Sequence, residues 1–238
     1  MRKYIYVIMF GLMMLACTHS EDSNTVISVL EDTTESHFLA KPNAENIFTQ
    51  FSFDTDLWHS ATFRYGRITS LVNNSRDGVS VPQENALLGN ELKRRREVAD
   101  FNNDVKLLLN KPKDSSIYNH SSIWLPIAEE LRFLQKEENT TTTLFVFSDL
   151  QENTKWFSVF RVSDIKLLEC NIKNLVELFM SKAHGIQPSE AVTVVVVYQP
   201  RTIADDELFQ KLKQLYTQLF SKLGIPIKFT SNLNTKSR

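Results

Sequence analysis

The string Asp32-x-Thr34-x-Ser36 places one carboxylate and two hydroxyls at alternate positions, directly after the apolar run of residues 26–30. A turn or a helix cap would be satisfied by one such residue. Three oxygen-bearing side chains at alternate positions of a tight loop can instead aim their oxygens at one point. The string therefore predicts one part of an oxygen-lined site.

Two further segments carry the same chemistry. Asp149 follows the apolar run of residues 144–147, and the stretch 114–118 is rich in hydroxyls. If both apolar runs are parallel strands, the two aspartates meet at one edge of the sheet. A site of carboxylate and hydroxyl oxygens suits a hard divalent cation, Mg²⁺ or Mn²⁺, with water completing the coordination. Because hydroxyls cancel little of its charge, such a cation would accept one more anionic oxygen from a partner.

Apolar runs alternate with amphipathic stretches along the chain, which predicts a doubly wound α/β domain. In such a fold a mostly parallel central sheet has helices on both faces. The apolar runs predict strands at 26–30, 60–71, 144–147, 191–200 and 225–233. The helical spacing predicts helices at 43–53, 84–110, 123–137, 171–185 and 205–224.

The pattern of motifs resembles that of von Willebrand factor type A (vWA) domains, which carry a metal-ion-dependent adhesion site (MIDAS). Asp32, Thr34 and Ser36 match the family's first motif, Asp-x-Ser/Thr-x-Ser after the first strand. Asp149 matches its last motif, an Asp after an apolar central strand. The resemblance covers residues 25–230 in element order and implies that these four side chains are metal ligands.

The family's middle motif is a loop hydroxyl, usually Thr, some thirty-odd residues before the last Asp. The string Ser-Ser-Ile-Tyr at 115–118 resembles it, and the resemblance implies Ser115 as the middle ligand, with Ser116 as the next choice. The chain departs from the family in having Ser at this position, and in having Leu150 where the family commonly has Gly after the last Asp.

The N-terminus predicts a lipid anchor. Arg2 and Lys3 precede an apolar stretch at 4–16, and Cys17 follows it in a lipobox-like Met-Leu-Ala-Cys string. The stretch is short for a membrane span; an ordinary secretory signal and an anchor helix are the alternatives. We expect a signal peptide at 1–16, a lipidated Cys17 with a polar tether at 17–24, a vWA-like domain at 25–231 and a tail at 232–238. The acidic string after Cys17 resembles the export tag of Bacteroidetes surface lipoproteins. We therefore expect the protein on the cell envelope, held to the outer membrane by its lipid. It would face either the periplasm or the cell surface.

The charge, the cysteine content and the lack of certain motifs argue against several classes of function. The net charge of −1 argues against a nucleic-acid partner, and the basic run at 93–96 is expected to be a solvated helix face. With Cys17 lipidated, Cys170 has no disulfide partner and is expected to be a buried small hydrophobe. The five histidines have no metal-ligand spacing, and neither a phosphate-binding glycine loop nor a Gly-x-Ser-x-Gly elbow occurs.

The leading hypothesis is that the protein is a binding module and not an enzyme. In this hypothesis a bound Mg²⁺ or Mn²⁺ ion recruits a carboxylate of a protein or glycan partner. The alternative is an accessory scaffold lipoprotein, with a degenerate metal site, of an envelope or mobile-element-encoded assembly. A metal-dependent phosphate-ester hydrolase is the third hypothesis, but it needs a general base or nucleophile that the sequence does not show. Glu31 and Glu35 are expected to be solvated. A role for Glu152 in supporting the metal ligands from behind is the less favoured interpretation of that residue.

Overall fold

A computed structural model describes residues 24–35, 37–69, 74–112, 120–137 and 140–233. Its central feature is one six-stranded sheet in the order β3-β2-β1-β4-β5-β6. The strands are β1 (Asn24–Asp32), β2 (Ser60–Ile68), β3 (Arg76–Val81), β4 (Thr140–Phe147), β5 (Val192–Val197) and β6 (Ile227–Thr230). All neighbours are parallel except β2 and β3, which are antiparallel.

Helices cover both faces of this sheet. They are α1 (Ala44–Phe48), α2 (Glu91–Leu109), α3 (Trp124–Leu134), α4 (Val162–Cys170), α5 (Ile172–Lys182) and α6 (Ile203–Lys222), with a 3₁₀ turn at Thr49–Phe51. The predicted α/β fold class is therefore confirmed. The strand order reverses between β1 and β4, and this is the place where doubly wound sheets bind ligands at their carboxyl ends.

The apolar side chains of β1 point alternately to the two faces of the sheet, and each face packs into a separate core. Val26 and Leu30 belong to the core under α3 to α6, whereas Ile27 and Val29 belong to the core under α1 and α2. Successive strand side chains point to opposite faces, so an apolar run without interruption is buried on both sides. The carboxyl end of β1 is consequently held rigidly between the two layers.

The structure differs from the sequence-based elements in three places. The strand β3 and the helix α4 were not predicted. The helix expected over 84–110 begins at Glu91, because Asn85 closes a turn by accepting the Gly89 N–H at 2.7 Å, and Asn90 then caps the helix. The final predicted strand is present at the edge of the sheet as β6.

Two predictions about single side chains were wrong. Arg94, within the basic run, is fully buried: its guanidinium donates to the carbonyls of Leu57 at 2.9 Å, Pro82 at 2.8 Å and His59 at 2.6 Å. Cys170 is exposed. It lies two residues after the buried Leu168 on α4, and about 200° of helical rotation turns it away from the core.

No helix in the described part of the chain combines the length and the apolar character that crossing a membrane requires.

Candidate functional site

The carboxylate of Asp32 is held at the end of β1 by hydroxyl and amide donors. Its Oδ1 accepts from the Thr34 backbone N–H at 3.0 Å and from the Thr34 hydroxyl at 2.6 Å. Its Oδ2 accepts from the Ser148 hydroxyl at 2.8 Å. The loop itself is fastened to β2, since the backbone N–H of Thr33 donates to the carbonyl of Ile68 at 3.1 Å. Asp32 and Thr34 therefore lie together, as the first motif predicts.

Besides the hydroxyl of Ser148, the described structure brings the hydroxyl of Ser121 to this loop. Its Oγ lies 3.2 Å from the Thr34 Oγ1. The backbone of Ser121 pairs in both directions with Asn153, at 3.1 and 2.8 Å, which ties the segment before α3 to the segment after β4. Sequence reasoning missed Ser121. It lies three residues before the start of α3 (124 − 121 = 3), and nothing in the sequence distinguishes it from the adjacent Ser122.

Four sequence-predicted positions lie outside the described residues. They are Cys17, Ser36, Ser115 and Ser116. Their assignments as a lipidation site and as metal ligands stay predictions.

Asp149 occupies the loop after β4, as predicted, and is buried there. Its Oδ1 accepts the Gln151 backbone N–H at 2.9 Å. The next residue, Leu150, has φ of 64°, in the left-handed region that favours glycine, and its N–H donates to the Ser148 hydroxyl at 2.9 Å. The loop thus has the backbone conformation of a glycine position while carrying leucine, at a strain of about 1–2 kcal/mol. The fully buried Leu150 side chain offsets that strain.

Burial is the main influence on the pKa values of both aspartates. Burial raises the pKa of Asp32 to about 6, against the opposing effect of its hydrogen bonds from Thr34 and Ser148. Burial, followed by the charge of Asp32, raises the pKa of Asp149 to about 8. Near neutral pH burial therefore disfavours the charged form of both carboxyls, and the charge of Asp32 adds to this effect at Asp149.

Glu152 supports the site from behind. It is fully buried, and its Oε2 accepts the backbone N–H groups of Ile123 and Trp124, both at 2.9 Å. These are donors at the start of α3, which has no cap from its own side chains. Burial raises the pKa of Glu152 to about 7. Glu152 is thus a positioning residue for the segment that carries Ser121.

The two other glutamates near the first motif behave differently from each other. Glu35 is exposed, as expected. The prediction that Glu31 is solvated was wrong, because Glu31 is buried and accepts the Tyr65 hydroxyl at 2.6 Å. Glu31 faces the opposite side of β1 from its neighbour Asp32, so it lies away from the oxygen cluster.

Two shallow cavities open beside Asp149. The first, about 150 Å³, is lined by Thr34, Ser121, Asp149 and Phe160 among others. The second, about 210 Å³, shares Asp149 and Phe160 with the first and extends to Arg201. The buried Asp149 therefore borders both cavities.

The donor set is compatible with a hard cation. Asp32, Thr34, Ser121 and Asp149 offer only oxygen atoms, the ligands that Mg²⁺ and Mn²⁺ prefer. A cation beside Asp32 and Asp149 would offset the cost of burying their charges, which is the main cause of both raised pKa values. Among the described residues no group of three or more His, Cys, Asp or Glu could hold a metal ion, so any site here depends on hydroxyls and water as well.

None of the protein-family models that were compared with the chain matches it. A sequence search of curated proteins likewise finds no match. The resemblance to vWA domains therefore rests on the motifs, their spacing and the order of elements.

Proposed function

We propose that this chain is a vWA-like binding module that holds Mg²⁺ or Mn²⁺ at a MIDAS-like site. The observation that carries the proposal is that the buried carboxyls of Asp32 and Asp149 lie at the ends of the paired strands β1 and β4. The Thr34 hydroxyl donates to Asp32, and Thr34 and Ser121 line one cavity together with Asp149. Buried like charges without a compensating cation destabilise a fold, and a site with that arrangement is a candidate for function.

In this proposal Asp32, Thr34, Ser121 and Asp149 hold the ion, together with the sequence-predicted Ser36. The middle ligand inferred from the sequence shifts from the 115–116 pair to Ser121, which contacts Thr34. The bound ion supplies a positive charge that attracts a carboxylate of a protein or glycan partner. Recognition involves no bond cleavage, so the module is not an enzyme.

We also propose that Cys17 carries lipid and holds the domain on the cell envelope. Cys17 lies seven residues before Asn24, the first residue of β1 (24 − 17 = 7). The site lies at the other end of this nine-residue strand, roughly 30 Å away. A membrane tether at one edge of the sheet and a binding site at the opposite edge would leave the site accessible. Replacing Cys17 with Ser should abolish labelling by radioactive palmitate, and labelling that persists would refute the anchor.

Isothermal titration calorimetry of the purified chain with Mg²⁺ and Mn²⁺ tests the metal site. We expect binding heat that is lost in Asp32→Ala and in Asp149→Ala but retained in Asp104→Asn, an exposed aspartate on α2 that serves as the matched control. No heat from the native chain at millimolar metal would sink the proposal and favour a scaffold lipoprotein with a degenerate site. Circular dichroism of each variant separates loss of the site from loss of the fold.

A further inference from the structure

Three exposed leucines project from the amino edge of the sheet, where β1 and β2 begin, at the edge opposite the candidate metal site. Leu87, Leu88 and Leu92 are 93%, 89% and 64% exposed, and none of residues 85–90 is charged. The first two belong to the turn before α2, and Leu92 belongs to the first turn of that helix. We call these three side chains the leucine tip. A group of exposed apolar side chains of this kind marks a surface that binds a protein or a membrane.

The turn that carries the leucine tip is firmly held against the start of β2. The Oδ1 of Asn85 accepts the Leu87 N–H at 2.8 Å, and the N–H of Glu84 donates to the Trp58 carbonyl at 3.0 Å. Gly89 lies so close to the Trp58 ring that a Cβ there would be 2.3 Å from it. The leucines are therefore held out in water by a defined turn that is fixed to the sheet.

The N-terminal tether reaches the same edge. Asn24 is in register with Ser60 on the neighbouring strand, about 5 Å away, and Trp58 lies two residues before Ser60. Cys17 precedes Asn24 by seven residues (24 − 17 = 7), which span at most about 25 Å when fully extended. A membrane that holds a lipid on Cys17 is consequently within reach of the leucine tip.

The charges next to the leucine tip are compatible with a lipid surface. Lys93 and Arg95 form ion pairs with glutamates at 2.8 to 2.9 Å, in which both cations are more than 60% exposed. Such pairs are weak, so these cations can turn toward lipid phosphates. Arg96 is exposed, has no ion pair among the described residues, and lies four residues after Leu92, on the same face of α2. An apolar tip with a free guanidinium behind it matches the order of acyl chains and phosphates at a membrane surface.

We propose that the leucine tip enters the surface of the membrane to which Cys17 anchors the chain. The three leucines leave water for the boundary between head groups and acyl chains, and Arg96 contacts the phosphates. This inference rests on the proposed lipid anchor and gives the anchored domain an orientation. With two contacts at the amino edge, the sheet stands upright on the membrane and the metal site faces away from it. A membrane is favoured over a protein partner because the tether keeps the lipid surface at a high effective concentration beside the tip.

Fluorescence of a polarity-sensitive label on the anchored protein tests this orientation. The full chain, produced in bacteria with its own N-terminus, is reconstituted on vesicles of phosphatidylethanolamine and phosphatidylglycerol. The label is attached at Leu92→Cys, and Cys170→Ser removes the exposed Cys170 thiol. We expect this label to emit at the shorter wavelengths typical of an apolar environment and to be quenched by spin-labelled lipid.

Leu107→Cys is the matched control for the position of the label. Leu107 is 67% exposed, almost the same as Leu92, but lies 15 residues further along α2 (107 − 92 = 15), about 22 Å away along the helix axis. A label there should emit as in water and escape quenching.

A second pair of variants tests the leucines themselves. Leu87→Ser combined with Leu88→Ser should move the equilibrium of the Leu92 label roughly tenfold or more toward the water-exposed state, the change expected when apolar side chains no longer leave water. Leu107→Ser removes a comparable exposed side chain at the other end of α2 and should leave the Leu92 label unchanged.

Two outcomes would overturn the inference while the anchor stands. One is protein that floats with the vesicles but has the same emission from the labels at positions 92 and 107. The other is a shift of the Leu92 label that survives the double serine variant. A shift that disappears when the protein is diluted on the vesicle surface would assign the leucine tip to a second copy of the chain. A chain that does not float with vesicles would refute the proposed anchor together with this inference, whereas the metal titration is independent of all these results.

Discussion

Replacing Asp149 with Asn should stabilise the metal-free protein above neutral pH. The side chain keeps its shape, and its Oδ1 can still accept the Gln151 N–H. A carboxyl whose pKa is raised on folding binds more protons in the folded state than in the unfolded state. Its contribution to stability is therefore complete at low pH and is lost as the pH rises from the unfolded pKa through the folded one. Asn carries no charge at any of these pH values and escapes that loss.

The magnitude follows from the pKa of Asp149, which burial and the charge of Asp32 raise from 3.8 to about 8. At about 1.4 kcal/mol per pKa unit, the raised pKa lowers the stability of the metal-free protein by on the order of 2 kcal/mol at pH 5 and 5 kcal/mol at pH 8. At pH 5 this loss arises because the unfolded chain ionises at Asp149 while the folded protein keeps the proton. The free energy of unfolding of the native protein should accordingly fall by about 3 kcal/mol between pH 5 and pH 8 because of Asp149 alone.

Urea unfolding in EDTA, at pH 5 and at pH 8, measures this difference. Asp149→Asn should be more stable than the native chain at pH 8, by a wider margin than at pH 5, and Mg²⁺ should stabilise only the native chain. The exposed Asp104→Asn controls for the loss of one negative charge. A native chain whose free energy of unfolding is flat from pH 5 to 8, or an Asp149→Asn variant less stable than the native chain at pH 8 in EDTA, would refute the reasoning.

Further predictions concern the same site and the core beneath it. Mg²⁺ affinity measured by calorimetry should rise by up to about tenfold per pH unit between pH 6 and 8, because the metal displaces protons from the raised carboxyls. Ser121→Ala should weaken Mg²⁺ binding roughly tenfold or more, whereas Ser122→Ala should not, since the buried Ser122 hydroxyl has no hydrogen-bond partner among the described residues. Leu150→Ala should lower the free energy of unfolding in urea by about 2–5 kcal/mol. Leu150→Gly should lower it by about 1 kcal/mol less, because only glycine also relieves the left-handed strain. A glycine variant less stable than the alanine variant would contradict this. Glu130→Ala should destabilise the protein by about 3–5 kcal/mol, because the Arg64 guanidinium 2.7 Å away loses its buried partner; a loss below about 1 kcal/mol would contradict the burial argument.

Two departures from the sequence predictions, the burial of Arg94 and the presence of β3, share a physical cause. Arg94 has the sequence context of a surface residue, with basic neighbours on a polar helix, yet the carbonyls of the turns before β2 and after β3 surround its guanidinium. The short β3 carries Asp77 and Gly78, which are uncommon in strands, and exists because β2 offers it an edge to pair with. In both cases a partner distant in sequence overrides the local preference.

Local patterns were sufficient for the fold class and for three of the four described residues of the candidate site, namely Asp32, Thr34 and Asp149. An uninterrupted apolar run predicts a strand buried on both faces, and a polar residue directly after it must lie at the carboxyl edge, so Asp32 and Asp149 could be placed from sequence. The middle hydroxyl could not be identified from the sequence. Ser121 reaches Thr34 only because Glu152 caps α3 and Asn153 pairs with the Ser121 backbone, and these contacts join segments about 30 residues apart. Side-chain hydroxyls have almost no sequence signature of their own, so three-dimensional packing alone selects which of many serines completes the cluster.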